Sequence, residues 1–190
     1  TKRLGHVLLY RPVLSSTQSL LYDELSVDCD GTLCVADRQR SAKGRGSNKW
    51  DSPEGCLVYS FVSRVEAKLV PFFQYIVAMA VHRTTSTLAG KDAKESFGMQ
   101  LKWPNDIYGP NQQKLGGILC QSSGRPGGKF DVVAGVGLNV HNAKPTTCLH
   151  ELFLAAGVDT RSLSREAFLA SFCAEFEVRR SRRILIARAW

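Results

Sequence analysis

Two neighbouring segments constrain this chain more than any other part of its 190 residues. Residues 102–106 read Lys-Trp-Pro-Asn-Asp, and residues 114–118 read Lys-Leu-Gly-Gly-Ile. Gly116 and Gly117 lack a side chain, so a strand that carries them lets a ligand or another backbone approach closely. The two lysines bring positive charge beside that strand. The pattern therefore predicts a pocket built on strands that accepts an anionic ligand.

The length and composition predict one ordinary globular domain. A chain of this length can bury one sizeable core but hardly two. Its apolar share of 44% and charged share of 22% are typical of globular proteins. No apolar run reaches the eighteen residues of a membrane span, and the longest, 70–81, contains Gln74 and fits a buried helix. We therefore expect no membrane partner.

The cysteine pattern predicts buried free thiols and no metal site. The six cysteines show neither C-x-x-C pairs nor the histidine spacing of a zinc site. A domain large enough to have a core does not need a disulfide framework. A reducing compartment, the cytoplasm, is expected. Because residue 1 is Thr rather than Met, a targeting segment would not be visible, and import into an organelle stays open.

The net charge of +8 is concentrated near the end of the chain. Five basic residues lie within the last twelve positions: Arg179, Arg180, Arg182, Arg183 and Arg188. Without them 20 basic residues remain against 17 acidic ones, so the rest of the chain carries only +3. No zinc-finger spacing or RNP-type motif is present, and DNA is not predicted as a partner. The arginines are interpreted as a solvated helix end, with contact to an acidic partner as the alternative.

Apolar periodicity and turn residues predict an α+β domain. Strands are predicted at 6–13, 32–36, 56–62, 99–103, 114–121 and 130–140, with turns at 109–111 and 122–129. Helices are predicted after residue 15 and at 71–88, 147–156 and 164–180. Hairpins with helices set beside them indicate a mixed, largely antiparallel sheet with helices packed on it. No composition shift marks a boundary within 1–190, so a single domain is expected.

The polar segment 37–55 is longer than connections in compact domains usually are, unless they have a function. Its residues 42–50 read Ala-Lys-Gly-Arg-Gly-Ser-Asn-Lys-Trp. Glycines leave backbone N–H groups free to converge on an anion beside the charges of Lys43 and Arg45. A flexible basic loop is the alternative. Trp50 and the following Ser-Pro pair favour a binding loop.

This loop resembles the biotin protein ligase pattern G-R-G-R-G-G-x-x-W-x-S-P. It matches at Gly44, Arg45, Gly46, Trp50, Ser52 and Pro53, and it departs at Ala42, Lys43 and Ser47. Residues 102–106 and 114–118 resemble the family's K-W-P-N-D and K-[LI]-[GA]-G motifs. Residues 135–139 resemble its G-[IV]-G-[IL]-N strand. The motifs occur in the family's order, and the resemblance runs from about residue 5 to residue 190.

The resemblance implies a fold like that of class II aminoacyl-tRNA synthetases and biotin synthetases, and it implies three catalytic residues. Lys114 would lie between the biotin carboxylate and the α-phosphate, and Arg45 would contact the same two groups. Asp106 would orient the incoming amine or accept its proton.

The resemblance also implies residues that bind the substrate or the adenylate. Ser16 and Thr17 correspond to the family's Ser-Thr-Asn, where Gln18 replaces the Asn, and with Gln39 they would contact the ureido ring of biotin. The other implied binding residues are Lys43, Gly44, Gly46, Trp50, Lys102, Asn105, Gly116, Gly117, Ile118, Gly135, Gly137 and Asn139.

The implied activity is that of an ATP-dependent biotin–protein ligase. Such enzymes form biotinyl-5′-AMP from biotin and ATP with Mg²⁺, and transfer biotin to a lysine of the biotin carboxyl carrier domain of a carboxylase. A lipoate or octanoate ligase or transferase of the same fold is one alternative, although its Arg-Arg and Ser-Gly-Gly-Gly pattern is missing. A non-catalytic module that binds biotin is another, because Gln18, Ala42 and Lys43 depart from the family.

The family's accessory domains are not expected within this chain. Nothing precedes the first predicted strand that could form the N-terminal helix-turn-helix domain of some members. The sequence stops near where the C-terminal small β-barrel would begin. A homodimer is left open.

Overall fold

The computed structural model describes residues 3–24, 29–90, 98–142 and 144–181. Within these ranges seven strands form one sheet in the order β1-β2-β3-β7-β6-β5-β4. The strands are β1 (Val7–Leu14), β2 (Thr32–Gln39), β3 (Cys56–Glu66), β4 (Gln100–Lys102), β5 (Asp106–Tyr108), β6 (Lys114–Arg125) and β7 (Lys129–Asn139). The helices are α1 (Thr17–Ser19), α2 (Val70–Leu88), α3 (Leu149–Ala155) and α4 (Arg165–Ser181). A π-helical turn, Leu20–Glu24, continues α1, and a 3₁₀ turn, Ala67–Leu69, precedes α2.

The sheet is mixed and largely antiparallel. β1 and β2 run parallel, while each of the other neighbouring pairs is antiparallel. The strands β4 to β7 are joined in sequence by short turns, which can connect only antiparallel strands. The α+β prediction is confirmed.

The main core lies between the sheet and helices α2 and α4. Phe61 of β3 meets Phe73 of α2 and Phe172 and Phe176 of α4, with ring centroids 4.8 to 6.2 Å apart. Each fully buried aromatic side chain contributes about 1.5–3 kcal/mol through removal of apolar surface from water. This packing holds one face of β3 and its neighbours rigidly against the helices. The opposite face of the central strands is left for other contacts.

Several boundaries differ from the predictions, most of all around the hairpin of β6 and β7. The predicted turn 122–129 is much shorter in the structure. Residues 122–125 continue β6, residue 129 begins β7, and residues 126–128 form the turn. β3 likewise runs four residues beyond its predicted end. Polar residues extend β3 and β7 because they pair between the two strands. Arg64 lies opposite Asp131, and its Nε is 2.7 Å from an Asp131 carboxylate oxygen.

The arginines at the end of α4 are not simply solvated, as the sequence suggested. Arg180 is buried, and its guanidinium lies 3.2 Å from Asp30 and 3.5 Å from Glu177. Arg179 pairs with Glu175 at 3.7 Å. A buried guanidinium needs carboxylate partners, and the fold supplies them from Asp30, in the turn before β2, and from Glu177 of α4. The remaining arginines, 182, 183 and 188, lie outside the described residues.

All six cysteines are free thiols, four of them buried and two half-buried. Burial raises the pKa of the Cys56 thiol to about 11 and that of Cys120 to about 12. No three His, Cys, Asp or Glu side chains in the described ranges lie close enough together to hold a metal ion. None of the helices in those ranges is long and apolar enough to cross a membrane.

Candidate active site

A pocket of about 400 Å³ opens on the sheet face opposite α2 and α4. It is formed by α1, the loop between β2 and β3, and strands β3, β5, β6 and β7. The predicted site residues that line it are Ser16, Thr17, Gln39, Lys43, Gly44, Arg45, Gly46, Trp50, Asn105, Asp106, Lys114, Gly117, Ile118, Gly135 and Gly137. Motifs that are far apart in the sequence therefore meet around one cavity.

One end of the pocket is a network of buried hydrogen bonds. The Thr17 backbone N–H donates to Gln39 Oε1 at 2.8 Å, and the Thr17 and Ser60 hydroxyls are 2.8 Å apart. Gln39 Nε2 donates in turn to the Ser52 hydroxyl at 3.4 Å. Ser16 caps α1 by accepting from the Ser19 backbone N–H. These bonds fix donors and acceptors in place, which suits a neutral polar ring better than a charged group.

Gln18 extends this polar end. Its Nε2 donates to Gln121 Oε1 at 3.0 Å and to the Val133 carbonyl at 3.1 Å. Its Oε1 is buried without a hydrogen-bond donor. A side chain at Gly135 would place its Cβ 2.6 Å from that oxygen, so the glycine leaves room for a Gln where the family has Asn. The Gln18 oxygen remains an acceptor that a ligand N–H can satisfy.

The long loop is a hairpin rather than an irregular coil. Lys43 and Lys49 form an antiparallel bridge, and the Gly44 N–H donates to the Asn48 carbonyl at 2.8 Å. Gly46 lies at its tip with φ of 66°, a conformation that favours glycine. Ala42 is buried, does not need a positive φ, and accepts a hydrogen bond from the Trp50 N–H. Its replacement of the family's first glycine is therefore compatible with this loop conformation.

The other end of the pocket is cationic. Lys114 Nζ lies 2.8 Å from Asp106 Oδ1 and 5.6 Å from the centre of the Trp50 ring. Lys43 and Arg45 line the same cavity from the hairpin. Among the residues that line the pocket, Asp106 carries the one carboxylate. Positive charge therefore exceeds negative charge among the residues that line the pocket, which favours a phosphate or carboxylate.

Two glycines make room for Trp50. A Cβ at Gly137 would lie 2.5 Å from the Trp50 ring, and one at Gly117 would lie 3.7 Å from it. The indole Nε1 is buried without a hydrogen-bond acceptor. The glycine-rich strands thus serve a specific purpose: they let an aromatic side chain of the hairpin rest on the backbone of β6 and β7.

Three predicted binding residues do not line the pocket. Lys102 Nζ lies 5.0 Å from the centre of the Tyr108 ring. Asn139 is occupied within the fold, because its Nδ2 donates to the Thr147 carbonyl at 3.0 Å and its Oδ1 accepts from Asn142 at 2.8 Å. Gly116 faces the Gly137 carbonyl and Leu138, since a Cβ there would lie 2.6 Å from that oxygen.

Strand periodicity explains the separation of the two adjacent glycines. Successive residues of a strand face opposite sides of the sheet, so Gly116 and Gly117 cannot both form a pocket floor. A bulge decides which one does, because Tyr108 pairs with Lys114 while Ile107 pairs with Gly116. Leu115 is skipped in the ladder and is fully buried in the main core.

The structure also brings residues to the pocket that the sequence analysis missed. They are Gln18, Asn48, Lys49, Tyr59, Ser60, Leu119 and Val136. The sequence could have indicated Ser60. It is the one serine or threonine in the otherwise apolar and aromatic strand segment 56–62. A buried hydroxyl in such a strand needs a partner, here Thr17. The others have no comparable sequence signal.

Comparison with known protein families identifies the family of this chain. The sequence profile of the biotin/lipoate A/B protein ligase family matches residues 10–139. The chain belongs to this family.

The curated relatives of this chain include proteins named biotin–protein ligases. Biotin–protein ligase 1, chloroplastic, of Arabidopsis thaliana is 41% identical over 178 residues, which cover 93% of this chain and 48% of that protein. The biotin–protein ligase of Homo sapiens is 34% identical over 160 residues, covering 80% of this chain and 21% of that protein. The chain thus spans about half, or less, of the length of these two relatives.

Solved structures of biotin protein ligases share the fold. The Leishmania major enzyme in complex with biotinyl-5-AMP superposes with a TM-score of 0.77 at 21% identity, over 93% of this chain and 76% of that one. The Aquifex aeolicus enzyme in complex with biotin and ATP gives a TM-score of 0.69 at 24% identity, over 93% and 71% of the two chains. The α+β architecture is therefore that of the family.

Gly137→Ala is expected to weaken ligand binding in this pocket at least tenfold, because the added methyl group would displace the Trp50 ring. Isothermal titration with biotinyl-5′-AMP, which the Leishmania major structural neighbour binds, measures the effect. Gly124→Ala is the matched control, since its Cβ would meet only the Phe130 ring at 3.8 Å. Equal affinity of the two variants would show that the position of Trp50 does not matter for binding.

Proposed function

We propose that this chain is the catalytic part of an ATP-dependent biotin–protein ligase. The observation that carries the proposal is the single pocket with two unlike ends. Its buried hydrogen-bonding end at Thr17 and Gln39 fits the neutral ureido ring of biotin, and the cations Lys114 and Arg45, which also line it, fit the carboxylate and phosphates. The names of the curated relatives and the biotin and adenylate complexes of the structural neighbours support the same assignment.

In the first step, a carboxylate oxygen of biotin attacks the α-phosphorus of ATP. The bond from that phosphorus to the oxygen bridging the β-phosphate breaks, and pyrophosphate leaves with the electron pair. Two like unit charges about 4 Å apart repel by about 4 kcal/mol at an effective dielectric of 20. Lys114 and Arg45, which both line the pocket, would offset that repulsion and stabilise the charge that develops in the transition state.

In the second step, the neutral amine of an acceptor lysine attacks the carbonyl carbon of biotinyl-5′-AMP. The carbon–oxygen bond to AMP breaks, AMP leaves with the electron pair, and the amine nitrogen loses a proton. Asp106 is the carboxylate that lines the pocket, so we assign the proton to it. Its contact with Lys114 places it next to the group that would bind the reacting carboxyl.

Magnesium would arrive with the nucleotide. The pocket offers one carboxylate, Asp106, which is paired with Lys114, and this donor set does not fit a metal site built by the protein. The residues fit an ion that is held mainly by the phosphates of ATP. Bound there, it would neutralise the pyrophosphate leaving group.

The acceptor we propose is the biotin carboxyl carrier domain of a biotin-dependent carboxylase. We propose biotin rather than lipoate because the relatives at 34–41% identity are named for biotin. The compartment stays a prediction: the cytoplasm is expected, with an organelle as the alternative since one relative is named chloroplastic. The homodimer likewise remains a prediction.

Mass spectrometry of a carrier domain incubated with the chain, ATP, Mg²⁺ and biotin tests the function. We expect one biotin to be added to the target lysine. Omission of ATP should abolish the product, and lipoate should not replace biotin. Tight biotin binding without transfer would instead select the non-catalytic module, and a lipoylated product would select the lipoate enzyme.

A further inference from the structure

Four large apolar side chains are exposed on helix α2 and on the edge strand β4 with the turn that follows it. Phe72 and Tyr75, one turn apart on α2, are 42% and 41% exposed, and Leu101 of β4 is 41% exposed. Trp103, which follows β4, is 74% exposed. Residues three apart on a helix share a face, and Leu101 and Trp103 line one cleft together with Tyr75. We call these four residues the aromatic face.

Two clefts connect the aromatic face to the active-site pocket. Tyr75 and Trp103 line both of them. The larger, of about 290 Å³, reaches Arg45, and the smaller, of about 60 Å³, reaches Asp106. Arg45 and Asp106 also line the active-site pocket. The aromatic face is therefore continuous with the residues assigned to both chemical steps.

A hydrogen bond between helix α2 and the turn after β4 holds the aromatic face in place. Gln74, which lies between Phe72 and Tyr75 in the sequence, donates a hydrogen bond from Nε2 to the Pro104 carbonyl. This bond fastens the turn that carries Trp103 to helix α2. A surface that is already ordered loses less entropy when a partner binds, so this arrangement favours docking.

The charges around the aromatic face favour an acidic partner. In the described part of the chain, neither Arg45 nor Lys102 has an ion-pair partner, and both line the clefts. The nearest carboxylate in the clefts, Asp106, is paired with Lys114. A protein that presents an apolar residue flanked by acidic ones would complement this surface.

We propose that the aromatic face is the docking surface for the acceptor protein, and that Trp103 and Tyr75 are its anchors. This inference rests on the proposed ligase function, whose second step needs a lysine of another protein to reach Asp106. A single lysine side chain offers little contact area, whereas exposed aromatic residues supply most of the affinity of many interfaces. The Trp103 side chain is mostly exposed in the chain alone, and a bound acceptor protein would cover it.

Transfer kinetics with Trp103→Ala and Tyr75→Ala test the proposal. We expect each variant to raise the KM for an intact carrier domain at least tenfold. Pyrophosphate release, and trapping of biotinyl-5′-AMP by hydroxylamine, should stay within twofold of the unsubstituted chain, because a small amine needs no docking surface. The matched controls are Leu8→Ala on β1 and Leu154→Ala on α3, which remove exposed apolar side chains elsewhere. An unchanged KM for the carrier domain in both variants overturns the proposal.

Direct binding separates this proposal from the proposed function. The probe is a carrier domain whose target lysine is replaced by arginine, titrated against the chain by isothermal calorimetry. Absence of adenylate from the unsubstituted chain would contradict the ligase function, yet loss of carrier binding in the two variants would still support the docking surface. Equal binding by all chains, or no binding by the unsubstituted one, overturns it. If Trp103→Ala fails to fold, Tyr75→Ala on the helix surface decides.

Discussion

Replacing Lys114 with alanine is expected to abolish formation of biotinyl-5′-AMP, with a loss of at least about a thousandfold. Two effects act in the same direction. The variant lacks the cation that we propose acts on the reacting carboxylate and phosphate, and it leaves Asp106 as an unpaired negative charge in the pocket that we propose holds these two anions. Pyrophosphate release at saturating biotin and ATP measures the first step directly.

A second substitution tests this explanation of the Lys114→Ala loss. In the double variant Lys114→Ala, Asp106→Asn the unpaired charge is gone, so the first step should recover in part. Contacting residues are expected to behave non-additively in this way. Lys68→Ala, which removes an exposed lysine far from the pocket, serves as the control. Near-normal pyrophosphate release by Lys114→Ala would contradict the role proposed for Lys114 in the first step.

Replacing Asp106 alone with asparagine is expected to separate the two chemical steps. The amide oxygen can still accept a hydrogen bond from Lys114, so adenylate formation should stay within a few fold. The amide cannot accept a proton from the attacking amine, so transfer should slow by about 10²- to 10⁴-fold. Single-turnover transfer from preformed biotinyl-5′-AMP to the carrier domain isolates the second step.

The control for Asp106→Asn is Asp159→Asn, which removes an exposed carboxylate paired with Arg161. It should leave both steps unchanged. If Asp106→Asn slows adenylate formation and transfer equally, the carboxylate serves to position Lys114 rather than to accept the proton.

Much of the candidate site could be predicted from the chemistry of short motifs. The resemblance of these motifs to the biotin protein ligase family implies Lys114, Arg45 and Asp106 as site residues, and all three line one pocket. Thr17 and Gln39, 22 residues apart, were both assigned to the ring of biotin, and they are hydrogen-bonded to each other. Motif residues are informative because each type offers only a few donors, acceptors or charges.

Other positions could not be predicted because they depend on strand register and on distant partners. Asn139 looked like a nucleotide contact at the end of a glycine-rich strand, but it holds the following loop through Thr147 and Asn142. Ser60 looked like part of an apolar strand, and only the position of Thr17 gives its hydroxyl a role. Thr17 lies 43 residues from Ser60, and the partners of Asn139, although only 3 and 8 residues along the chain, reach it through the fold of the loop after β7.

The sequence by itself determined the α+β class, the family and the kinds of chemical groups at the site. The α+β class follows from local periodicity. The family and the kinds of chemical groups follow from motifs that can be recognised by their residue types alone. Only the tertiary structure decided that Gly117 rather than Gly116 faces the pocket, that Asp106 pairs with Lys114, and that Trp103 is exposed. The physical reason is the bulge between β5 and β6, together with the position of α2. Such register and packing relations arise from contacts between segments, which no single segment specifies.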